Sequence, residues 1–337
     1  MTLLDAGTWT GRIFSDGWTK PIGGEAPVVE PATGDELGRI GIGSPDDLAA
    51  AAARAVEAQQ AWAATSFEER AAVMRRAGAG WEEHAAEVES WLVREAGSIP
   101  PKAAVETHIA AQECYEAAAL ASHPLGEILP TARPRLSLAR RRPVGVVGVI
   151  APFNYPLILS IRSVAPALAL GNAVVLKPDP RTAVSGGVML ARIFEEAGLP
   201  PGLLHVLPGG ADLGAALVEH PQVPVISFTG SSAAGRIVGA TCGRLLKRAL
   251  LELGGNSALI VLDDADLDLA VSAGAFGSFL HQGQICMATG RHLVHSSIAD
   301  EYVERLSAKA DGLPVGNPAT EQVALGPLID AGQRDKV

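Results

Sequence analysis

The chain has 337 residues, of which 48% are hydrophobic, and a formal net charge of −10 at pH 7. That length suffices for two domains with substantial cores. The acidic balance argues against nucleic acid as a partner, since the longest basic run is Arg140-Arg141-Arg142. Three widely spaced cysteines do not suggest a disulfide framework, and neither a leader peptide nor an apolar run of ~18 residues is found. We expect a cytoplasmic protein without a membrane partner.

The N-terminal third predicts short strands and then three helices. The first forty residues contain turn signals, of which Pro31–Asp35 is the clearest. Ser44–Asp47 combines a hydroxyl N-cap, a proline and two acidic residues, which is typical of a helix start. Ser66–Glu69 has capping-box spacing and predicts a second helix that ends near Gly97. A third helix is predicted from about Lys102 to Ser122, and we expect no chemistry on these helices.

Residues 123–142 differ in character from the helices before them. The segment contains three prolines and alternating residues at Arg135–Ala139. These features predict an extended arm or hairpin.

Apolar strands alternate with amphipathic helices from Val144 onward. The predicted strands are Val144–Ile150, Ala173–Lys177, Leu203–Leu207, Val225–Phe228, Ala249–Leu253 and Ala258–Leu262. Runs of this β-branched kind between helices predict an α/β fold with a doubly wound parallel sheet. Gly254-Gly255 separates the last two strands, and we interpret it as the crossing into a second α/β domain.

Cys286 is the cysteine best placed for chemistry. It lies among small and polar residues three positions after Gly283, whereas Cys114 lies in an alanine-rich helical pattern and Cys242 near a helix end. A nucleophilic thiol needs an approachable sulfur and groups that favour thiolate. A lone cysteine is more often a small core residue, so the residue alone leaves both interpretations open.

Three histidines lie near Cys286 and suggest a metal or Cys–His site. His281, His292 and His295 do not have the spacing of a zinc site. We interpret them as structural and predict no metal.

Three further motifs precede Cys286 in the chain. They are Ala151–Pro156, Phe228–Gly235 and Leu251–Asn256. In this order, with Glu252 lying 34 residues before Cys286, they resemble the NAD(P)-dependent aldehyde dehydrogenase superfamily. Within it, Ser163–Asn172 and Phe279–Gln284 are most similar to benzaldehyde dehydrogenases.

The resemblance implies three catalytic residues. Cys286 would be the nucleophile, and Asn154 with the Cys286 backbone N–H would stabilise the oxyanion, a donor worth about 3–4 kcal/mol in acyl transfer. Glu252 would be the general base, and its place at the end of an apolar strand predicts partial desolvation that favours this role. Without the resemblance, Asn154 is equally consistent with an Asx-turn and Glu252 with a structural salt bridge.

The resemblance also implies a cofactor site, which would occupy the carboxyl edge of the sheet. The assigned residues are Pro152, Phe153, Lys177, Gly230, Ser231, Gly235 and Leu253. Where the family often has a glutamate that holds the adenosine ribose, this chain has Pro180, followed by Arg181. That departure removes a carboxylate that would repel a 2′-phosphate and adds a cation, which keeps NADP open. The resemblance to NAD-linked benzaldehyde dehydrogenases favours NAD.

We therefore predict the NAD(P)-dependent oxidation of an aldehyde, such as benzaldehyde, to its acid. Residues 1–122 and 143–253 would form the dinucleotide-binding domain, 123–142 an oligomerisation arm, and 254–337 the first part of the catalytic domain. The full-length form would be a homo-oligomer.

Two alternatives remain. A coenzyme A-acylating enzyme generally lacks the glutamate base, so Glu252 argues against it. A catalytically incompetent cofactor-binding fragment is the other, because family chains are longer and their later Glu-x-Phe-Gly-Pro segment is not found here. We accordingly expect a C-terminally truncated chain.

Overall fold

A computed structural model describes residues 2–336 and shows an α/β architecture. The helices are α1 (Ala6–Trp9), α2 (Pro45–Ala64), α3 (Phe67–Glu83), α4 (Ala85–Ala96), α5 (Pro100–Leu120), α6 (Pro156–Ala169), α7 (Met189–Glu196), α8 (Ala211–Glu219), α9 (Ser232–Arg244), α10 (Leu267–Phe279), α11 (Ala299–Asp311) and α12 (Ala331–Arg334). The strands are β1 (Ile13–Ser15), β2 (Trp18–Thr19), β3 (Glu25–Val29), β4 (Glu36–Gly41), β5 (Gly126–Leu129), β6 (Ser137–Arg140), β7 (Val146–Ile150), β8 (Ala173–Lys177), β9 (Leu204–Val206), β10 (Val225–Thr229), β11 (Arg248–Glu252), β12 (Ser257–Val261) and β13 (Thr289–Val294).

The main sheet has seven strands in the order β11-β10-β7-β8-β9-β1-β2. Strands β7 to β11 are mutually parallel, and every residue of β7 and β8 is buried. Their valine-rich sequences suit a sheet covered by helices on both faces. The predicted doubly wound parallel sheet is confirmed, with an antiparallel pair, β1 and β2, added at one edge.

The N-terminal helices begin where the capping residues predict. The Ser44 hydroxyl accepts a hydrogen bond from the Asp47 N–H, and the Asp47 carboxylate accepts one from the Ser44 N–H at 2.8 Å. The Ser66 hydroxyl accepts from the Glu69 N–H at 3.2 Å and so provides one half of such a capping box. This helix ends at Glu83 instead of continuing to Gly97. The break lies at His84, whose backbone (φ −98°, ψ 14°) leaves the helical range while its ring contacts Glu196 at 3.3 Å. No glycine or proline marks this position, so local sequence gives no signal for the break.

The arm predicted at residues 123–142 is a two-stranded antiparallel hairpin of β5 and β6. The hairpin exposes the apolar side chains of Ile128, Leu136 and Leu138 to solvent. The hairpin itself is confirmed, whereas its part in subunit contacts stays a prediction.

Strands β12 and β13 form a separate parallel pair beside α10 and α11. A small core of Val261, Val271 and Tyr302 lies between these elements. The predicted domain boundaries stay a prediction. Within residues 2–336, no helix combines the length and apolar character needed to cross a membrane.

A fully buried carboxylate fixes the backbone that follows β8. Glu95, near the end of α4, accepts hydrogen bonds from the N–H groups of Val184 and Ser185 at 2.9 and 2.6 Å. These residues open a short π-helical turn, Val184–Val188. Burial raises the pKa of Glu95 to about 7, although these hydrogen bonds act in the opposite direction.

We predict that Glu95 makes the fold less stable as pH rises from about 4.5 to 7. The unfolded chain releases this proton near pH 4.5, whereas the folded chain keeps it to about 7, so the folded state binds more protons across that window. The free energy of unfolding therefore falls with pH, by up to about 3 kcal/mol from this group. In Glu95→Gln this component disappears. Urea unfolding across the window measures it, with the exposed Glu83→Gln as control; identical pH slopes in Glu95→Gln and wild type would contradict the prediction.

Candidate active site

Parallel pairing brings three predicted site segments to one edge of the sheet. Asn154 follows β7, Lys177 ends β8, and Gly230 follows β10. Because β7 pairs with both β8 and β10, the carboxyl ends of the three strands are neighbours. Ligands of open parallel sheets bind at this edge.

A cavity of about 560 Å³ opens at this edge. Its lining includes strand ends, the glycine-rich turn before α8, and the α9 face; the residues are Ile150, Lys177, Asp179, Pro180, Arg181, Gly209, Gly210, Ala211, Gly214, Ala215, Val218, Glu219, Phe228, Ala234, Ile237, Val238 and Thr241. Lys177 is the predicted cofactor residue in this lining. Sequence reasoning missed Gly209-Gly210, although a glycine pair shortly after a strand, here preceded by Pro208, is a recognised turn signal.

The glycines of the turn after β10 have packing reasons to be glycine. A Cβ on Gly230 would lie 2.6 Å from the Phe228 ring, and one on Gly235 would lie 2.2 Å from a methyl of Leu253. Helix α9 therefore packs directly on Leu253. The Ser231 hydroxyl caps α9 by accepting from the Ala234 N–H at 3.2 Å, so it is engaged within the turn itself.

Two cations beside the cavity differ in their partners. Lys177 is buried, which lowers the pKa of its ammonium, and its Nζ lies 3.3 Å from the Pro178 carbonyl oxygen. Arg181 pairs with the Asp179 carboxylate at 2.7 Å and with that of Asp330 at 2.5 Å. Two carboxylates thus balance the one guanidinium.

Phe153 lies against Arg181. The guanidinium carbon is 4.3 Å from the centre of the Phe153 ring, within the range of a cation–π contact. The residue before Asn154 is therefore fixed to the ion-paired group at the end of β8. Pro152 precedes it and is half-buried.

Asn154 connects the end of β7 to the cysteine loop. Its side-chain amide donates a hydrogen bond to the Gln284 carbonyl oxygen at 2.7 Å. The Asn154 side-chain oxygen is buried and has no hydrogen-bond partner within residues 2–336. The amide nitrogen carries two N–H groups, so one remains for a ligand. The hydrogen bond to Gln284 joins residues 130 positions apart in the sequence, unlike the local hydrogen bond of an Asx-turn.

Cys286 follows an unusual run of backbone. His281, Gln282 and Gly283 have φ values of +50°, +57° and +69°, which is a left-handed turn at three successive residues. Cys286 beyond it is exposed, whereas Cys114 and Cys242 are buried, as their sequence contexts suggested.

The chain segment after Glu252 passes close to the cysteine. A Cβ on Gly255 would lie 2.4 Å from the Cys286 carbonyl oxygen. The absence of a side chain at this position therefore permits the approach, in the manner expected of the Gly254-Gly255 pair.

The nearby histidines have structural surroundings. His281 is buried, which together with the charge of Lys102 lowers its pKa well below the usual value. The His292 ring nitrogens lie 2.9 Å from the Ser278 hydroxyl and 2.7 Å from the Tyr302 hydroxyl. Across residues 2–336, no three His, Cys, Asp or Glu side chains form a group that could hold a metal ion.

The expected desolvation of Glu252 is wrong. Glu252 is exposed, as is every residue of β11. The physical reason is that β11 forms the edge of the sheet, so its apolar sequence, which suggested an interior strand, does not lead to burial. The strand is where the sequence predicted it, and the carboxylate stands at its carboxyl end.

Comparison with known proteins agrees with the motifs. The model of the aldehyde dehydrogenase family matches residues 18–337. A vanillin dehydrogenase from Amycolatopsis is 74% identical over the whole of this chain, which covers 69% of that protein. The NAD(+) benzaldehyde dehydrogenase of Pseudomonas putida is 54% identical over 96% of this chain, which covers 67% of its length.

A solved structure shows the same fold. The NAD-dependent benzaldehyde dehydrogenase from Corynebacterium glutamicum superposes with a TM-score of 0.90 at 40% identity, covering 96% of this chain and 72% of that one. With the family model matching nearly every residue, the chain is an enzyme of the aldehyde dehydrogenase family.

Proposed function

We propose that this aldehyde dehydrogenase oxidises an aromatic aldehyde of the benzaldehyde or vanillin type to its carboxylic acid, with NAD as the oxidant. Relatives at 74% and 54% identity carry the names vanillin dehydrogenase and NAD(+) benzaldehyde dehydrogenase. The observation that carries the proposal is the meeting of Asn154 with the loop of the exposed Cys286.

The cavity beside Lys177 suits the nucleoside part of NAD. Its volume of about 560 Å³ is in the range of small-molecule sites, and its α8 and α9 walls are mostly apolar, as an adenine ring requires. The Lys177 ammonium can donate to ribose hydroxyls, and Ser231 presents its backbone N–H near the start of α9 to a pyrophosphate. Gly230, whose own N–H donates to the Glu252 carbonyl oxygen at 3.0 Å, shapes the turn that brings Ser231 there. We assign Gly235 and Leu253 to the packing that holds this turn, and Pro152 and Phe153 to the nicotinamide side. When bound, NAD accepts a hydride.

Cys286 supplies the nucleophile and Asn154 the oxyanion donor. The thiolate adds to the aldehyde carbonyl and forms a thiohemiacetal, whose oxygen accepts from the free Asn154 N–H and from the Cys286 backbone N–H. Loss of hydride from the thiohemiacetal carbon leaves a thioester on Cys286.

Glu252 is proposed as the base for thioester hydrolysis. It removes a proton from water as the water attacks the thioester, and the acid departs with regeneration of the cysteine. Its exposure gives it direct access to water. The same residue argues against the coenzyme A-acylating alternative, in which a thiol replaces water.

We also propose that the protein is a homo-oligomer that associates through the β5–β6 hairpin. The hairpin exposes Ile128, Leu136 and Leu138, and apolar side chains presented on an exposed β-ribbon favour pairing with another chain.

Replacing cysteines one at a time tests the nucleophile. Cys286→Ala should abolish NADH formation from benzaldehyde or vanillin, because it removes the only cysteine that is exposed within residues 2–336. Cys114→Ala and Cys242→Ala should retain turnover, although each loses some core packing. Retained oxidation in Cys286→Ala would contradict the mechanism, and a wild-type protein that binds NAD without turnover would support the incompetent-fragment alternative.

Glu252→Gln separates the two halves of the reaction. Hydride transfer should be spared more than hydrolysis, because the base is needed for the water step. Stopped-flow absorbance should show a near-stoichiometric burst of NADH and then slow turnover. The exposed Glu304→Gln, away from the cavity, serves as control, and equal loss of both phases in Glu252→Gln would indicate a structural role.

Cofactor choice should follow the carboxylates around Arg181. Asp179 lines the cavity, and it neutralises Arg181 together with Asp330, so a 2′-phosphate would meet the Asp179 carboxylate beside a guanidinium already held in two ion pairs. We predict that kcat/KM favours NAD by more than about tenfold, and that Asp179→Asn reduces this preference by about tenfold, roughly 1.4 kcal/mol. Arg181→Gln should not weaken the use of NADP. Weaker use of NADP in Arg181→Gln, together with a wild type that prefers NADP, would show that Arg181 binds the 2′-phosphate.

A further inference from the structure

Two ionised side chains on α5 are buried beside the site but belong to none of the motifs. The side chains of Lys102 and Glu106 are 2% and 0% exposed, and Lys102 Nζ lies 2.5 Å from Glu106 Oε2. Burying two charges costs several kcal/mol per ion, and this is offset only where further hydrogen bonds satisfy the pair. The remaining partners of the pair therefore indicate what it does.

Lys102 uses its three N–H donors on three different groups. Besides Glu106, it donates to the Ser98 hydroxyl at 2.9 Å and to the backbone carbonyl of Asn154 at 2.8 Å. An ammonium has three donors, so none remains free. One of them holds the main chain of the residue whose side chain contacts the cysteine loop.

Glu106 holds the chain just beyond Asn154. Its second oxygen accepts from the N–H groups of Leu157 and Ile158 at 3.1 and 3.4 Å. These donors belong to the first turn of α6, where backbone N–H groups lack partners in the helix and favour a negative charge. The pair thus fixes the backbone on both sides of the Tyr155-Pro156 step.

Tyr155 gives a second route from the pair to the loop. Lys102 Nζ lies 4.2 Å from the centre of the Tyr155 ring, and the same ring packs edge-on against the His281 ring, with the ring centres 5.7 Å apart. Burial raises the pKa of Tyr155 to about 12, and burial and then the Lys102 charge keep the pKa of His281 low. Both rings are accordingly neutral near pH 7 and pack without a further charge.

We propose that Lys102 and Glu106 are positioning residues that fix Asn154, and through it and Tyr155 the loop of Cys286, in reactive geometry. The proposal rests on the roles of Asn154 and Cys286 given above. A purely structural pair would stabilise α5 against α6 without any specific coupling to Asn154.

The experiment is a double-mutant cycle on the rate of hydride transfer. Lys102→Met should slow that step by about ten- to a hundredfold, since small misplacement in an active site has this effect. The double variant with Asn154→Ala should be no slower, within about threefold, than Asn154→Ala alone. NAD affinity should stay unchanged, because the pair does not line the cavity at β8.

Arg70→Met provides a matched control. Arg70 is also a buried cation, and it donates to the Ala169 carbonyl oxygen at 2.9 Å, at the opposite end of α6. It should lower the melting temperature without slowing hydride transfer beyond about threefold, and its effect should add to that of Asn154→Ala.

The neutral double variant Lys102→Met/Glu106→Gln covers the case in which Lys102→Met does not fold. It leaves no unpaired buried charge, and the new amide oxygen can still accept from the Leu157 N–H. Recovered stability with hydride transfer still slow supports positioning, whereas recovery of both overturns it.

Hydrogen exchange gives a readout that needs no turnover. Amides of residues 281–288 should exchange faster in Lys102→Met and in Asn154→Ala than in wild type. In Arg70→Met they should exchange at the wild-type rate. Unchanged exchange in Lys102→Met, or additive losses in the cycle, would overturn the proposal. If exchange is faster in Lys102→Met but the wild type oxidises no aldehyde, the positioning role is supported and the proposed function is contradicted.

Discussion

The parallel pairing of β7 with β8 and β10 is the constraint on which the site depends. It aligns the carboxyl ends of three strands that are far apart in sequence, and each strand is followed at once by a turn that carries functional groups. Both faces of β7 and β8 are covered, so the strand ends cannot shift without exposing apolar surface. A rigid sheet edge of this kind allows short polar turns to hold their positions.

Much of the fold is encoded locally and could be predicted. Strands β7, β8 and β10 are short apolar runs bounded by turns, and Ser44 begins its helix with a capping box that the structure shows in full. The order of motifs also sufficed to predict the family. These features depend on residues adjacent in sequence, which is why a single sequence reveals them.

Other features depend on partners distant in the chain. The apolar residues of β11 look like an interior strand, yet position at the sheet edge leaves Glu252 in solvent. Lys102 and Glu106, four residues apart on a helix, have the spacing of an ordinary surface ion pair, and only tertiary packing shows that they are buried. Arg181 suggested a free cation until its pairing with Asp330, 149 residues away, was seen.

The left-handed turn at His281, Gln282 and Gly283 bears on how the protein would respond to selection for heat resistance. Two of these residues carry a Cβ, and for each of them that backbone conformation costs on the order of 1–3 kcal/mol. Glycine in place of Gln282 would relax the strain, so screens that reward thermostability alone would favour that change. Glycine in place of His281 would also remove a buried ring and its contact with Tyr155. The exchange of Gln282 would let the backbone before Cys286 adopt many conformations, and catalytic power would decline as the melting temperature rose. Libraries for industrial variants should therefore keep these three positions fixed and seek stability elsewhere, such as on the exposed faces of α2 and α3.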